Sequence, residues 1–180
     1  MTASGPTPAP TDLPAFLVEG GSVPLRVRLR VVRLRLRWGR RLGLGKGAFV
    51  GRGVRLRLAR GARLELGPGA WLGDRSIVQV GGEVRIGAAS LVGPGSVLSA
   101  AQSISIGERC LLGDEVMVSD RALTVEDAHR AERPVVVRPV VVGDGARVGP
   151  RACLLAGASV AAGAVVGPRE VVGGAVERRQ

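Results

Sequence analysis

The chain has 180 residues and a formal net charge of +11; 46% of it is hydrophobic, yet only 2% is aromatic, and Gly accounts for 28 residues. That length allows one domain with a substantial core and excludes two ordinary ones, while the shortage of aromatics excludes a core built on aromatic anchors and favours stacked small aliphatics. A single histidine excludes a three-histidine zinc site, and Cys110 and Cys153, without metal-type or CxxC spacing, read as buried thiols in a reducing cytosol.

The first stretch, MTASGPTPAPTDLP, lacks a basic region followed by an apolar one, and no apolar run approaches the roughly 18 residues that span a bilayer. The expectation is a cytoplasmic chain, peripheral to a membrane at most. Residues 1–15, rich in Pro, Thr and Ala, read as a disordered lead. Residues 16–43 form a basic segment: between Leu25 and Arg41 there are eight Arg and no acid, so it carries +8 of the formal +11. LRVRLRVVRLRLRWGRR alternates like a strand, but the phase slips at Val31-Val32. Drawn as a helix, it places Arg26, Arg30, Arg33, Arg37, Arg40 and Arg41 on one face, which predicts a basic amphipathic helix beside the domain that follows. Such a face is either solvated or held at an anionic membrane surface, at about 1 kcal/mol per cation. The lack of a recognition motif and of aromatic stacking surface speaks against nucleic acid.

From residue 44 an internal period takes over. An aliphatic residue followed by Gly recurs at 44, 50, 66, 72, 86, 92, 106, 112, 142, 148 and 166, with a spacing of six within runs. Four residues after each aliphatic comes a small side chain, among them Ala48, Ala70, Ser76, Ser90, Ser96, Cys110, Ala146, Ala152 and Ala164. A helix cannot use this pattern, because 3.6 does not divide six and each Gly costs up to about 1 kcal/mol. A strand that turns sharply every six residues uses both features. Two Gly-bearing hexads are followed by one without Gly, at Leu56, Val78, Leu98, Val118 and Leu154, so three hexads make a coil and coils start near 44, 66, 86, 106, 142 and 160. The reading is all-β: a triangular parallel β-helix of about six coils over 44–176, with an extruded loop at 119–139 and a tail at 177–180.

With these hexads the chain resembles the hexapeptide-repeat acyltransferases, and the resemblance implies a left-handed β-helix, a homotrimer, acetyl-CoA as co-substrate, no metal, and a sugar or lipid-linked sugar hydroxyl as acceptor. RPVVVGDGARVG, Arg138 to Gly149, matches the segment that follows the catalytic loop in O-acetyltransferases of that superfamily. The resemblance aligns Asp120 with the first acid of the loop motif and puts Leu123 or Arg121 where its catalytic histidine is expected. The chain's only histidine, His129, lies further along, with Asp127 two residues before it as an orienting carboxylate. Either a shifted loop delivers His129 as the general base, or the site is degenerate and the protein is a trimeric scaffold. Pro150 and Pro168 match groove-lining residues of the family. Its Thr-Lys pair is Gly173-Gly174 here, leaving Arg169, Arg178 or Arg179 to meet a phosphate, and its Trp is Arg147.

Overall fold

The structure is a computed structural model and describes residues 25–123 and 135–176. The expected lead, the tip of the loop and the tail lie outside the described residues. Among the described residues the strands form three parallel sheets of seven, six and six strands, which are the three faces of a left-handed β-helix of about six coils. The first face runs from Leu42–Leu44 through Arg63–Leu66, Glu83–Ile86, Ser103–Ile106, Val140–Val142 and Ser159–Val160 to Ala175–Val176. The second stacks Phe49–Val50, Trp71–Leu72, Leu91–Val92, Leu111–Leu112, Arg147–Val148 and Val165–Val166; the third stacks Arg55–Leu58, Ile77–Val80, Val97–Ala100, Met117–Ser119, Cys153–Leu154 and Val171–Val172.

The hexad period becomes this geometry through two separate requirements at each corner. In Leu66-Gly67-Pro68-Gly69-Ala70, Leu66 points into the core, the Gly67 amide donates to the Ile86 carbonyl of the next coil at 2.7 Å, and Ala70 fills the corner. A Cβ on Gly67 would lie 2.6 Å from the Ala88 amide nitrogen, so it is the neighbouring coil that demands glycine there. Two positions later Gly69 adopts φ +66, the left-handed region. Arg75, Ala89, Arg109, Glu115, Arg151 and Arg169 occupy the equivalent position elsewhere with φ between 52 and 61, a conformation that costs an L-residue about 1–2 kcal/mol. Ser90 and Ser96, at corner positions, are buried yet satisfied: Ser90 donates to the Gly107 carbonyl at 2.6 Å and Ser96 to the Gly93 carbonyl at 2.8 Å. Cys110 takes the same corner role and is buried, which pushes its thiol pKa up; Cys153 stands on the outer side of its strand and is only half-buried, so the expectation of two buried thiols holds for the first alone.

The basic segment is helical. α1 (Leu25–Trp38) leads through a short turn of 3-10 helix, Gly39–Arg41, into the first coil. Leu34 and Trp38 pack against the core. In a parallel ladder alternate residues bond to opposite sides, and since Gly45 and Gly51 bond onward to the second coil, the carbonyls of Leu44 and Val50 face the open end. Arg35 donates to Leu44 at 2.7 Å and Arg30 to Val50 at 3.1 Å. The basic face expected from the sequence is therefore divided: Arg30 is half-buried against the first coil, while the outer side of α1 presents Val32 and Leu36, 50% and 81% exposed. No described helix is long and apolar enough to cross a membrane.

The two corner requirements separate under substitution. Gly93→Ala puts a Cβ 2.5 Å from the Gly113 carbonyl, whereas Gly145→Ala, at φ +66, meets nothing within 4 Å. Thermal unfolding is expected to show a loss of about 1–2 kcal/mol for Gly145→Ala and a much larger one, or failure to fold, for Gly93→Ala.

Candidate active site

Among the described residues the chain makes one long excursion from the solenoid. The chain leaves the third face after Ser119 and rejoins the first face at Val140, and an antiparallel pair, Arg121–Leu123 with Val135–Val137, forms the stem of the excursion. Asp127 and His129 lie beyond that stem, outside the described residues. Leu123 and Arg121, the positions aligned with the family's histidine, pair with Val135 and Val137 in the stem, so the alignment falls at the loop's base.

Asp120 sits where the chain departs, fully buried, on the inward side of the third face opposite Ala100. In the coil above, the Gly81 and Glu83 amides bond to the carbonyls of Ala100 and Gln102 in the next coil. One coil later the chain has turned away, and the Asp120 carboxylate takes over: Oδ1 accepts from the Ala101 amide at 2.7 Å, and Oδ2 from the Gln102 and Ser103 amides at 2.6 and 3.0 Å. The Asp120 carbonyl also accepts from the Arg138 amide at 2.9 Å, tying the two ends of the excursion together. Three amides occupy the carboxylate, which makes Asp120 the anchor of the loop.

Pro150, Pro168 and Arg169 come together. They line a groove of about 520 Å³ along the corner between the second and third faces, with Asp114, Glu115 and Arg151 on its wall. The corner segments of successive coils stack there: the Arg151 amide donates to the Asp114 carbonyl at 2.8 Å and the Arg169 amide to the Pro150 carbonyl at 3.0 Å. The left-handed backbone turns the side chains of Arg151 and Arg169 outward. Arg151 is paired with Glu115 at 2.7 Å, whereas Arg169 has no ion-pair partner among the described residues. The groove thus offers proline rings and one uncommitted guanidinium, a donor set suited to an extended ligand carrying phosphate. Gly173-Gly174 forms the bend before the last strand, and Arg178 and Arg179 lie outside the described residues.

A second groove, of about 480 Å³, is one that the sequence reading missed. It lies at the helix end of the third face, and Arg37, Trp38, Arg57, Gln79, Ser99 and Arg121 line it. Arg57, Gln79 and Ser99 are aligned partners in adjacent coils. Comparing outward positions one coil apart would have shown this polar row.

No family model and no curated protein matches the sequence. Solved structures with the same fold do. A mutant of AntD, an N-acyltransferase from Bacillus cereus, in complex with dTDP and coenzyme A, superposes with a TM-score of 0.71 at 14% identity, over 81% of this chain and 79% of that one. A hexapeptide-repeat acetyltransferase from Vibrio cholerae O1 biovar eltor, complexed with acetyl coenzyme A, gives 0.58 at 18% identity, over 82% and 69%. The polysialic-acid-specific acetyltransferase NeuO gives 0.54 at 15% identity, over 76% and 74%. The chain shares the left-handed β-helix of the hexapeptide-repeat acyltransferases.

Loss of the anchor has a measurable signature. Asp120→Ala leaves three amides without their acceptor and is expected to lower stability by about 3 kcal/mol or more, with faster hydrogen exchange at Ala101, Gln102 and Ser103. Asp120→Asn keeps one carbonyl acceptor and is expected to lose less in the same two measurements.

Proposed function

We propose that the protein is an acyl-CoA-dependent acyltransferase that moves an acetyl group from acetyl-CoA to a hydroxyl of a sugar or glycolipid. The observation that carries this reading is the groove in which Pro150 and Pro168 stack beside Arg169, which has no ion-pair partner among the described residues, on a fold shared with acyltransferases described with coenzyme A. Acetyl-CoA supplies the activated thioester. In this reading the proline rings flank its pantetheine arm and Arg169 meets a phosphate. His129, carried by the excursion that Asp120 anchors, takes the proton from the acceptor hydroxyl as that oxygen bonds to the acyl carbon and the carbon–sulfur bond breaks; Asp127 orients the imidazole, and backbone amides stabilise the oxyanion. The proton ends on the departing thiolate. A second reading, a scaffold without chemistry, is supported by Arg121 and Leu123 standing where the family's histidine is expected.

The working form in this proposal is a homotrimer. Two of the three faces carry largely apolar rows on their outer sides: Trp71, Leu91, Leu111 and, beyond Arg147, Val165 on the second, and Ile77, Val97, Met117, Cys153 and Val171 on the third. The first face instead carries the ion pairs Arg63–Glu65 and Arg85–Glu83. Two different apolar faces on each chain suit head-to-tail contacts that close into a ring. A cytoplasmic location follows in the same reading. Val32 and Leu36, exposed between arginines on the outer side of α1, favour contact with an anionic membrane surface over a merely solvated face.

The chemistry is tested by CoA release from acetyl-CoA with a panel of sugars. Wild type is expected to turn over and His129→Ala to lose a factor of about 10² to 10⁴ while still binding acetyl-CoA. Equal rates for the two refute His129 as the base, and a silent wild type that gains a trace of activity in Leu123→His favours the scaffold. Light scattering is expected to give three times the chain mass of 18.6 kDa; a monomer refutes the ring.

A further inference from the structure

Every charged residue between Gly20 and Leu64 is cationic, so α1 and the first coil form one basic end of the solenoid. Most of these cations point to solvent or cap the coil, as Arg30 and Arg35 do. Arg37, Arg57 and Arg121 are different, because they come from three separate elements, the end of α1, the first coil and the stem of the excursion, and line one groove. None of the three guanidiniums has an ion pair or hydrogen bond among the described residues, and no acidic side chain among those residues lines the groove. Asp120, next to Arg121 in the chain, is occupied by three backbone amides and offers no compensation. Like charges brought together in one concavity repel, and an anion bound there relieves that repulsion.

The rest of the lining narrows the ligand. Trp38 is half-buried at the groove with Arg37 at 5.7 Å from its ring centroid, so the ring is held beside a cation. An indole face packs against the apolar face of a pyranose, and Gln79 and Ser99 supply an amide and a hydroxyl for sugar hydroxyls. Leu58, Val80 and Ala100 form an apolar floor. Guanidiniums in numbers favour phosphate, which they bind in bidentate fashion.

We propose that this groove binds a phosphorylated sugar: Arg37, Arg57 and Arg121 hold the phosphate, Trp38 packs on the ring, and Gln79 and Ser99 bond its hydroxyls. Resting on the acyltransferase reading, this makes a sugar phosphate or phosphate-linked sugar the acceptor, entering at the base of the excursion that carries His129.

Calorimetric titration of the full chain with glucose 1-phosphate, with glucose, and with phosphatidylglycerol vesicles tests it. Glucose 1-phosphate is expected to bind, more tightly at low salt, and glucose far more weakly. Arg57 and Arg121 are exposed, so the double variant Arg57→Gln/Arg121→Gln should fold as wild type does and bind glucose 1-phosphate at least about tenfold more weakly. Arg109→Gln, a surface control outside the groove, should bind as wild type. The proposal is overturned if the double variant binds like wild type, if Arg109→Gln loses as much, if glucose binds as well as its phosphate, or if only the vesicles bind through Arg57 and Arg121. CoA release in the same preparations separates the two readings. Binding lost in the double variant with no turnover in any preparation keeps the groove and removes the acyltransferase. Turnover of glucose 1-phosphate that is equal in wild type and double variant keeps the acyltransferase and removes the groove.

Discussion

Each coil of this solenoid completes the backbone hydrogen bonds of the coil before it, and the rest of the structure follows from that dependence. The corner amides of Gly45, Gly67, Gly87 and Gly107 all donate to carbonyls one coil on, at about the same distance of 2.7–2.8 Å. Coils this close leave no room for a Cβ at the stacked corner, which is why an aliphatic is followed so often by glycine. The same dependence makes every irregularity expensive, because a strand without a neighbour exposes unpaired amides and carbonyls.

Polar side chains meet that demand where the backbone fails. At the start of the solenoid, with no preceding coil, Arg30 and Arg35 reach down from α1 and supply donors to two open carbonyls. At the exit of the excursion the missing groups are acceptors, and a carboxylate replaces them: Asp120 stands at a position where the coils above hold Val80 and Ala100, and takes three amides. A buried charge is tolerated there because charge-assisted hydrogen bonds satisfy it. The chain can then leave the coil at Asp120 without unravelling it.

The outer surface is free of the repeat's constraint and differs from face to face. Ion pairs among Arg63, Glu65, Glu83 and Arg85 lie on the early coils of the first face, where exposed pairs contribute little to stability. Apolar rows cover the outer sides of the second and third, and the helix end is basic. The two grooves sit where stacked coils meet an edge: Pro150 beside Pro168 at one corner, and Arg57, Gln79 and Ser99 in a row beside the stem.

The hexad period made the β-helix, its coil count, and the meeting of Pro150, Pro168 and Arg169 legible, because residues in equivalent corners must stack whatever their identity. The helix was legible too, through the phase slip at Val31-Val32. Its orientation was not: arginine spacing showed one basic face, and only the open carbonyls of Leu44 and Val50 decided that Arg30 and Arg35 would turn toward the coil. The sequence aligns Asp120 with the first acid of a loop motif and shows which residues flank it, but says nothing of amides some 17 to 19 residues earlier whose acceptor it becomes. The arginine groove was hidden for a related reason. Inward positions repeat because the core must be filled at every coil, so sequence alone determined them; outward positions obey no such rule, and only the coiling of the chain brought Arg37, Arg57 and Arg121 to one place.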